Sequence, residues 1–378
     1  MTANLLIVGT GLIGTSMGLA LRGEADVVLT DIDEQALSAA VARGAGRPWN
    51  GAEPVAHAVL AVPPRHVATE FLRLHGLRIA RTWSHVASIQ AAVQLEVEAS
   101  GGEVGQFCGS HPMAGGEQTG PQAAVADLFE GRPWALCPSP STSPRTVAAT
   151  RLLAELCGAE PLVLTAREHD LAVALVSHLP QVVATAVAAA LLDAADAGAS
   201  AVRLAGPGLQ DTTRIAASDP DLWLDVLSQN AAAVAPLVRA LAAELAETAD
   251  SLDRLAAEPA GDTGTDRSGP AGESAERTAA ADGVRDLLRR GNAGRRLVPL
   301  KQGRHDRDFT VVPVGVPDRP GQLAGVLVSA AEAGVNVEDV RVEHLAGRPR
   351  GVIELLVRAS AQPRARAALS AAGWDVLG

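Results

Sequence analysis

This chain has no tyrosine, only three cysteines and a single lysine, Lys301, so arginine supplies nearly all of its positive charge. The cysteines (Cys108, Cys137 and Cys157) are odd in number, with no CxxC spacing and no histidine cluster beside them. That pattern argues against a disulfide framework and a structural zinc site, and small buried thiols are expected instead. Positive charge is scarce overall: 32 Lys+Arg stand against 43 Asp+Glu, a net charge of -11. Nucleic-acid binders carry a basic face, so that class is disfavoured. Nor is an anionic substrate attracted globally, and any anion site has to be built locally. Long apolar runs are missing too. Stretches such as 184–195 meet Asp, Gly or Pro before they reach membrane-spanning length. The start of the chain lacks the basic segment and cleavage site of a secretory signal. A cytoplasmic protein with no membrane or nucleic-acid partner is expected. The missing tyrosine and the surplus of alanine and arginine carry no functional reading; they fit a GC-rich genome.

What is present is enough chain, 378 residues, for two or three domains whose cores need no covalent staple. Short apolar runs at 5–8, 27–30, 58–62, 82–86, 104–108, 134–137 and 162–164 alternate with amphipathic stretches such as 33–43, 65–74 and 144–157. This is the α/β pattern of a parallel sheet covered by helices, a Rossmann-type dinucleotide-binding domain over 1–165. Beyond Thr165 the strand signals stop. Residues 166–257 read as an all-helical substrate and dimerisation domain, with Ser218-Asp219 capping a helix that begins at Pro220. Its Ala- and Leu-rich helices carry more apolar surface than one thin layer buries, so a homodimer is expected. Residues 258–303 read as a linker: 258–281 are Gly, Thr, Ser, Asp, Pro and Glu with little to bury, and 283–296 form a short basic helix. Residues 304–378 follow the order strand, helix, strand, strand, helix, strand, the ferredoxin-like βαββαβ arrangement.

The first strand runs straight into Gly9-Thr10-Gly11-Leu12-Ile13-Gly14 and then a helix. In such a turn one glycine makes the tight bend and one lets the backbone approach a pyrophosphate. Gly14 permits close helix–strand packing. The pyrophosphate then meets the free N–H groups at the helix start. Asp31 ends the next strand, twenty residues after Gly11. A carboxylate there accepts from a ribose 2′-hydroxyl and repels a 2′-phosphate, and Ile32 and Asp33 follow with no nearby arginine. NAD rather than NADP is the expected cofactor, held by Gly9, Gly11, Leu12, Ile13, Gly14 and Asp31; no metal is expected.

Four segments set the chemistry: Gly11-Leu12-Ile13-Gly14-Thr15-Ser16; Gly109-Ser110-His111-Pro112-Met113-Ala114-Gly115-Gly116-Glu117; Ser177-His178-Leu179-Pro180; and Asp211-Thr212-Thr213-Arg214-Ile215-Ala216 with Trp223 nine residues on. In this order and at these separations, residues 1 to about 255 resemble the prephenate and arogenate dehydrogenase family. The resemblance implies NAD-dependent oxidative decarboxylation of prephenate to 4-hydroxyphenylpyruvate, in tyrosine biosynthesis. It implies that His111 accepts the ring C4 hydroxyl proton, a task suited to an imidazole. Ser88 resembles the serine that bonds that hydroxyl and orients the histidine, and on local grounds it equally reads as a helix N-cap. His178 resembles a second histidine of the substrate pocket. Arg214 resembles the carboxylate-binding arginine, a job that suits a guanidinium fork. Trp223 is expected either to wall the pocket or to pack on the buried side of its helix, and Gly208, with Gly206, is expected to let a loop approach the substrate. Gly116 stands where many relatives carry Thr, and the segment around Ser88 lacks the acidic and lysine residues often found there.

The segment Val316-Pro317-Asp318-Arg319-Pro320-Gly321, followed later by Asn336, resembles an ACT domain. That implies an aromatic amino-acid effector such as tyrosine at Asp318, Gly321 and Asn336; the residue types themselves suit Asp318 as a cap and Pro320 as the start of a helix. A ligand-free dimerisation module is the alternative. Three other readings stay open for the whole chain: an arogenate dehydrogenase that gives tyrosine directly, a β-hydroxyacid or imine-type reductase, and a non-catalytic NAD-sensing regulator. The lysine-dependent form of the reductase is disfavoured because Lys301 lies beyond the linker.

Overall fold

A computed structural model describes residues 4–101, 103–115, 118–195, 204–257, 270–298, 309–344 and 349–377. The chain divides into two compact units, Met1–Ala246 and Glu247–Gly378.

The first unit begins with strand β1 (Asn4–Val8), helix α1 (Leu12–Ala20), β2 (Asp26–Thr30), α2 (Glu34–Ala42) and the two-residue β3 (Arg47–Pro48). Next come β4 (His57–Leu60), α3 (Pro64–His75), β5 (Trp83–His85), α4 (Ala91–Ala99), β6 (Phe107–Pro112), β7 (Pro133–Cys137), α5 (Pro144–Leu156) and β8 (Glu160–Val163). These form one eight-stranded sheet in the order β3-β2-β1-β4-β5-β6-β7-β8. Period-2 alternation sends β1 into both faces. Leu5 and Ile7 join one core with Met17, Leu29 and Trp134, while Leu6 and Val8 join the other with Leu60, Phe71 and Trp83. All three cysteines are buried, and burial pushes the Cys108 and Cys157 thiols up to about 11 and about 12.

Three expectations change here. The sheet is not wholly parallel, because β7 runs antiparallel to β6. A parallel neighbour needs a crossover, usually helical, and the described part of the 113–132 connection holds only a 3-10 turn over Pro121–Ala123. The strand expected at 104–108 lies later: Val104–Gln106 form a 3-10 turn, and His111 sits inside β6 rather than after it. Ser88 is not the N-cap that its local sequence suggested: α4 starts at Ala91, its N-cap residue is Gln90, and the Gln90 side chain makes no capping bond.

Helix α6 (Ala166–Val173) opens with a capping box between Thr165 and Glu168. A π turn over Ala174–His178 then leads into α7 (Leu179–Ala195). Contrary to the sequence expectation, Ala166–Leu192 is one helical run of 27 residues, long and apolar enough by length and composition to cross a membrane. Its interruptions are buried polar residues (His169, Asp170, His178 and Gln181) that build a site. The unit continues with α8 (Pro207–Thr213), a 3-10 turn over Arg214–Ala217, α9 (Pro220–Gln229) and α10 (Ala231–Ala256), within which the unit boundary falls. As expected, Asp219 caps α9 by accepting from Leu222 N, with Pro220 in the first turn.

In the second unit, Pro270–Arg295 is a single helix, α11. The expected linker is therefore helical from residue 270. Helix-favouring Ala, Glu and Arg dominate that stretch, and Arg285 and Arg290 pair with Asp282 and Asp286 one turn earlier. Residues 258–269 and Lys301 lie outside the described residues. The last part is β9 (Phe309–Pro317), α12 (Gln322–Glu332), β10 (Val337–His344), β11 (Arg350–Arg358), α13 (Gln362–Ala371) and β12 (Asp375–Val376). Its antiparallel sheet has the order β10-β11-β9-β12 around a core that includes Val312, Val326, Leu355 and Leu369. This is the βαββαβ arrangement the sequence implied.

Candidate active site

At the carboxyl end of β1 the backbone turns at Gly9, whose φ is 100°. A Cβ there would lie 2.4 Å from the Ala61 carbonyl oxygen, and one on Gly14 would lie 1.9 Å from the Gly9 carbonyl oxygen. Gly11, the N-cap of α1, has nothing within 4 Å of where a Cβ would stand. Two glycines therefore make the turn possible, and the third leaves open space at a helix start with no acidic residue in its first turn. Leu12 and Ile13 open α1, Ile13 packing on the core. Asp31 Oδ2 accepts from the Thr10 backbone N–H (2.5 Å) and hydroxyl (2.8 Å), and Oδ1 accepts from Asp33 N (2.9 Å). Asp31 thus braces the glycine turn as well as facing a cavity of about 590 Å³, which Gly9, Gly11, Thr30 and Val62 also line. Helix α3 does bring an arginine here, Arg73, which the sequence did not reveal. Its guanidinium is held by Glu70 at 2.7 Å, and Glu70 lines the same cavity. Two carboxylates, Asp31 and Glu70, on one cavity would favour a 2′-hydroxyl over a 2′-phosphate. The cradle, the open helix start and Asp31 together fit a dinucleotide.

A second cavity of about 460 Å³ is lined by Ser88, His111 and Arg132 from the sheet side and by His178, Asp219 and Trp223 from the helical side. Strand β6 holds His111 rigidly, opposite Ala135 of β7. Its Nδ1 is 2.9 Å from His169 Nε2, and His169 Nδ1 is 2.8 Å from Asp170 Oδ1. Asp170 also accepts from the backbone N–H groups of Gln90 (3.0 Å) and Ala91 (2.8 Å), the start of α4. The missing cap of α4 thus comes from α6. Burial, then the neighbouring imidazoles of His169, His85 and His178, press His111 down to about 3, so its ring is neutral with one nitrogen lone pair. His178 Nδ1 lies 3.2 Å from Asn230 Nδ2, and its ring meets Trp223 edge-on at 5.9 Å. Burial also lowers His178, the first and largest influence on it.

Four of the expected residues, Ser88, His111, His178 and Trp223, therefore meet in one cavity. Arg214 and Gly208 are not among the residues lining it. Arg214 is exposed in the turn after α8, which Gln181 ties to α7 through Ile215 O at 3.0 Å. Gly208 is exposed and its carbonyl accepts from Thr212. Gly116 and Glu117 lie outside the described residues. In the second unit Gly321, at φ 88°, is the N-cap of α12, which begins at Gln322 rather than at the expected Pro320, because the left-handed glycine ends the turn first. Asn336 precedes β10 and donates to Glu338 at 2.7 Å. The sequence reading missed His169, Asp170, Asn230 and Arg132. Polar residues breaking an apolar helical run were the available signal for the first two. The π turn that resets the helix before His178 leaves no mark in the sequence periodicity.

Residues 17–163 match the family model described as prephenate dehydrogenase, nucleotide-binding domain, and residues 165–259 match prephenate dehydrogenase, dimerization domain. A probable prephenate dehydrogenase of Streptomyces niveus, NovF, is 35% identical over 355 residues, 93% of each chain. Among solved structures, prephenate dehydrogenase from A. aeolicus in complex with hydroxyphenyl propionate and NAD+ is similar at 26% identity and a TM-score of 0.58, covering 68% of this chain and 92% of that one. Arogenate dehydrogenase from Synechocystis is similar at 25% identity and a TM-score of 0.56, covering 66% and 92%.

Proposed function

Because this chain belongs to the prephenate dehydrogenase family, we propose that the His111 cavity takes the ring of prephenate while the glycine-turn cavity takes NAD. The protein is an NAD-dependent oxidoreductase that converts prephenate to 4-hydroxyphenylpyruvate with loss of carbon dioxide. The observation that carries the site assignment is that Ser88, His111, His178 and Trp223, far apart in the chain, line one cavity.

His111 takes the C4 hydroxyl proton, and Ser88 holds that hydroxyl. NAD, which the Gly9–Gly14 turn and Asp31 would hold, would supply the acceptor for the hydride lost from C4. Loss of carbon dioxide leaves its bonding pair in the ring, which becomes aromatic, and the phenolate oxygen regains the proton from His111. Trp223 and His178 shape the pocket. Arg132 stands at its mouth, and Arg214 is assigned to a substrate carboxylate by its place in the Asp211–Ala216 motif. A protein of net charge -11 needs such local cations to hold a dianion.

Asp219 supports a second reading. It is a carboxylate on the same cavity wall, the kind of partner that the ammonium of arogenate requires. Its Oδ1 is engaged as the cap of α9, which favours prephenate. Purified protein with NAD and either substrate, followed by NADH absorbance, separates the two. Tight NAD binding with no turnover of either substrate would favour the regulator instead.

The domain division proposed is 1–165, 166–257 and 304–378. Exposed Leu171, Leu175, Val176 and Leu192 on the helical domain support a homodimer. The βαββαβ unit supports an ACT domain with an aromatic amino acid as effector; titration of the full chain with tyrosine tests it, and no heat would remove the effector. A cytoplasmic location goes with this biosynthetic role.

A further inference from the structure

Two histidines face the substrate cavity, and a protein that oxidises a hydroxyl needs them to do opposite things. One has to accept a proton, and the other is useful only as a donor to an anionic substrate. Free neutral imidazole does either, because its two tautomers are close in energy and the roles of its nitrogens are set by whatever each is bonded to.

The bonding around Asp170 leaves little freedom. Both of its carboxylate oxygens accept backbone N–H groups, those of Gln90 and Ala91. A carboxylate so placed at a helix start meets a third group as an acceptor. His169 Nδ1, 2.8 Å away, is therefore the N–H of that ring, and His169 Nε2 is its lone pair. His111 Nδ1 lies 2.9 Å from that lone pair, so it carries the hydrogen. The opposite tautomer would set two lone pairs against each other inside the protein, where an unmade hydrogen bond is costly. The ring nitrogen of His111 left for the cavity is Nε2, as a lone pair.

On the other branch the direction reverses. Asn230 Nδ2 is 2.8 Å from the backbone oxygen of Asp170. A carbonyl only accepts, which fixes the amide with its NH₂ on that side. The second N–H of the same group points to His178 Nδ1 at 3.2 Å. His178 Nδ1 is then the acceptor, and Nε2 carries the hydrogen.

We infer that one buried network, centred on Asp170, locks the two cavity histidines in opposite tautomers: His111 offers a lone pair at Nε2 and His178 offers an N–H at Nε2. Asp170, His169 and Asn230 are positioning residues, and none of them lines the cavity. The same carboxylate pins the start of α4, two residues beyond Ser88, so the serine and both histidines are placed through one residue of the helical domain. The division into proton acceptor and donor rests on the dehydrogenase reading; the tautomers do not.

Long-range ¹H–¹⁵N correlation on the full chain labelled with ¹⁵N-histidine reads the tautomers directly, with signals assigned by their loss in H111Q and H178Q. The expected result is Nδ1–H for His111 and Nε2–H for His178. Either histidine in the other form, or averaging between forms, overturns the inference. In D170N, His111 is expected to leave the pure Nδ1–H form, with kcat falling roughly 100-fold or more at unchanged NAD affinity. An unchanged His111 tautomer in D170N overturns the role of Asp170. Should D170N fail to fold, N230A carries the equivalent test on His178, whose tautomers are expected to average; an unaltered Nε2–H form would count against the network. Correct tautomers in a protein that oxidises neither prephenate nor arogenate would overturn the functional reading alone.

Discussion

A methyl group on Gly14 would stand 1.9 Å from the carbonyl oxygen of Gly9, a separation at which backbone has to move. Gly11, between them in sequence, faces nothing within 4 Å. Two substitutions with the same chemistry therefore diverge. Gly14→Ala should destabilise the first unit by about 1–3 kcal/mol or more, the range of overpacked cores. Gly11→Ala should melt at nearly the native temperature and yet bind NAD at least about tenfold more weakly, because its methyl fills the cofactor's space. Thermal melts and NAD titration of both variants check this. Equal melting temperatures would contradict it.

Asp31 serves both the cofactor and the turn that holds it, accepting from Thr10 as well as facing the cavity. Asp31→Ala should raise the KM for NAD roughly tenfold or more, since a charged acceptor is lost. It should also narrow the preference for NAD over NADP, measured as the ratio of kcat/KM values. A preserved ratio would mean that discrimination lies elsewhere, with Glu70 the next candidate.

His111→Asn keeps a polar side chain in β6 but removes the base. Its kcat should fall by roughly 10²–10⁴-fold with the substrate KM changed far less. A variant that loses affinity and keeps kcat would move the base to another residue.

Buried neutral histidines also make stability depend on pH. Burial holds His57 down at about 4, and burial with a smaller push from His169 holds His85 at about 3. In the unfolded chain each would take up a proton below about pH 6.5. The unfolded state thus binds more protons in acid, so stability is full above about pH 6.5 and declines as pH falls toward the folded values. Each contributes a slope of about 1.4 kcal/mol per pH unit in that window. Melting temperatures should be level near neutrality and drop steadily through the acid range. A flat profile down to about pH 4.5 would contradict the burial of these rings as neutral groups.

Arg132 and Arg214 approach the substrate question from different places. Arg132→Gln and Arg214→Ala should each raise the substrate KM by roughly tenfold with kcat little altered, the signature of lost ground-state binding. If only the Arg214 variant responds, the carboxylates are met from the turn after α8 and not at the mouth beside β7.

Much of this was legible in the residues. The Gly9–Gly14 turn and Asp31 announce their roles because each needs a specific residue type at a fixed distance from a strand end. The βαββαβ unit was equally plain, since alternation and turn residues are local. The orientation of β7 was not legible: whether a chain crosses over or turns back depends on what the connection packs against, and the short apolar run 134–137 reads the same either way. The helix over 270–281 was hidden by a composition that also suits a linker.

Local pattern by itself determined the glycine turn, the acidic residue after the second strand and the succession of strands and helices, because hydrophobic period and turn chemistry are written within a few neighbouring positions; His111 was singled out only by the family motif around it. Which nitrogen of each histidine bears its hydrogen was decided only by the folded chain. That depends on Asp170 and Asn230, sixty residues apart, meeting at one buried carbonyl, and hydrogen-bond direction belongs to the assembled network rather than to any stretch of sequence.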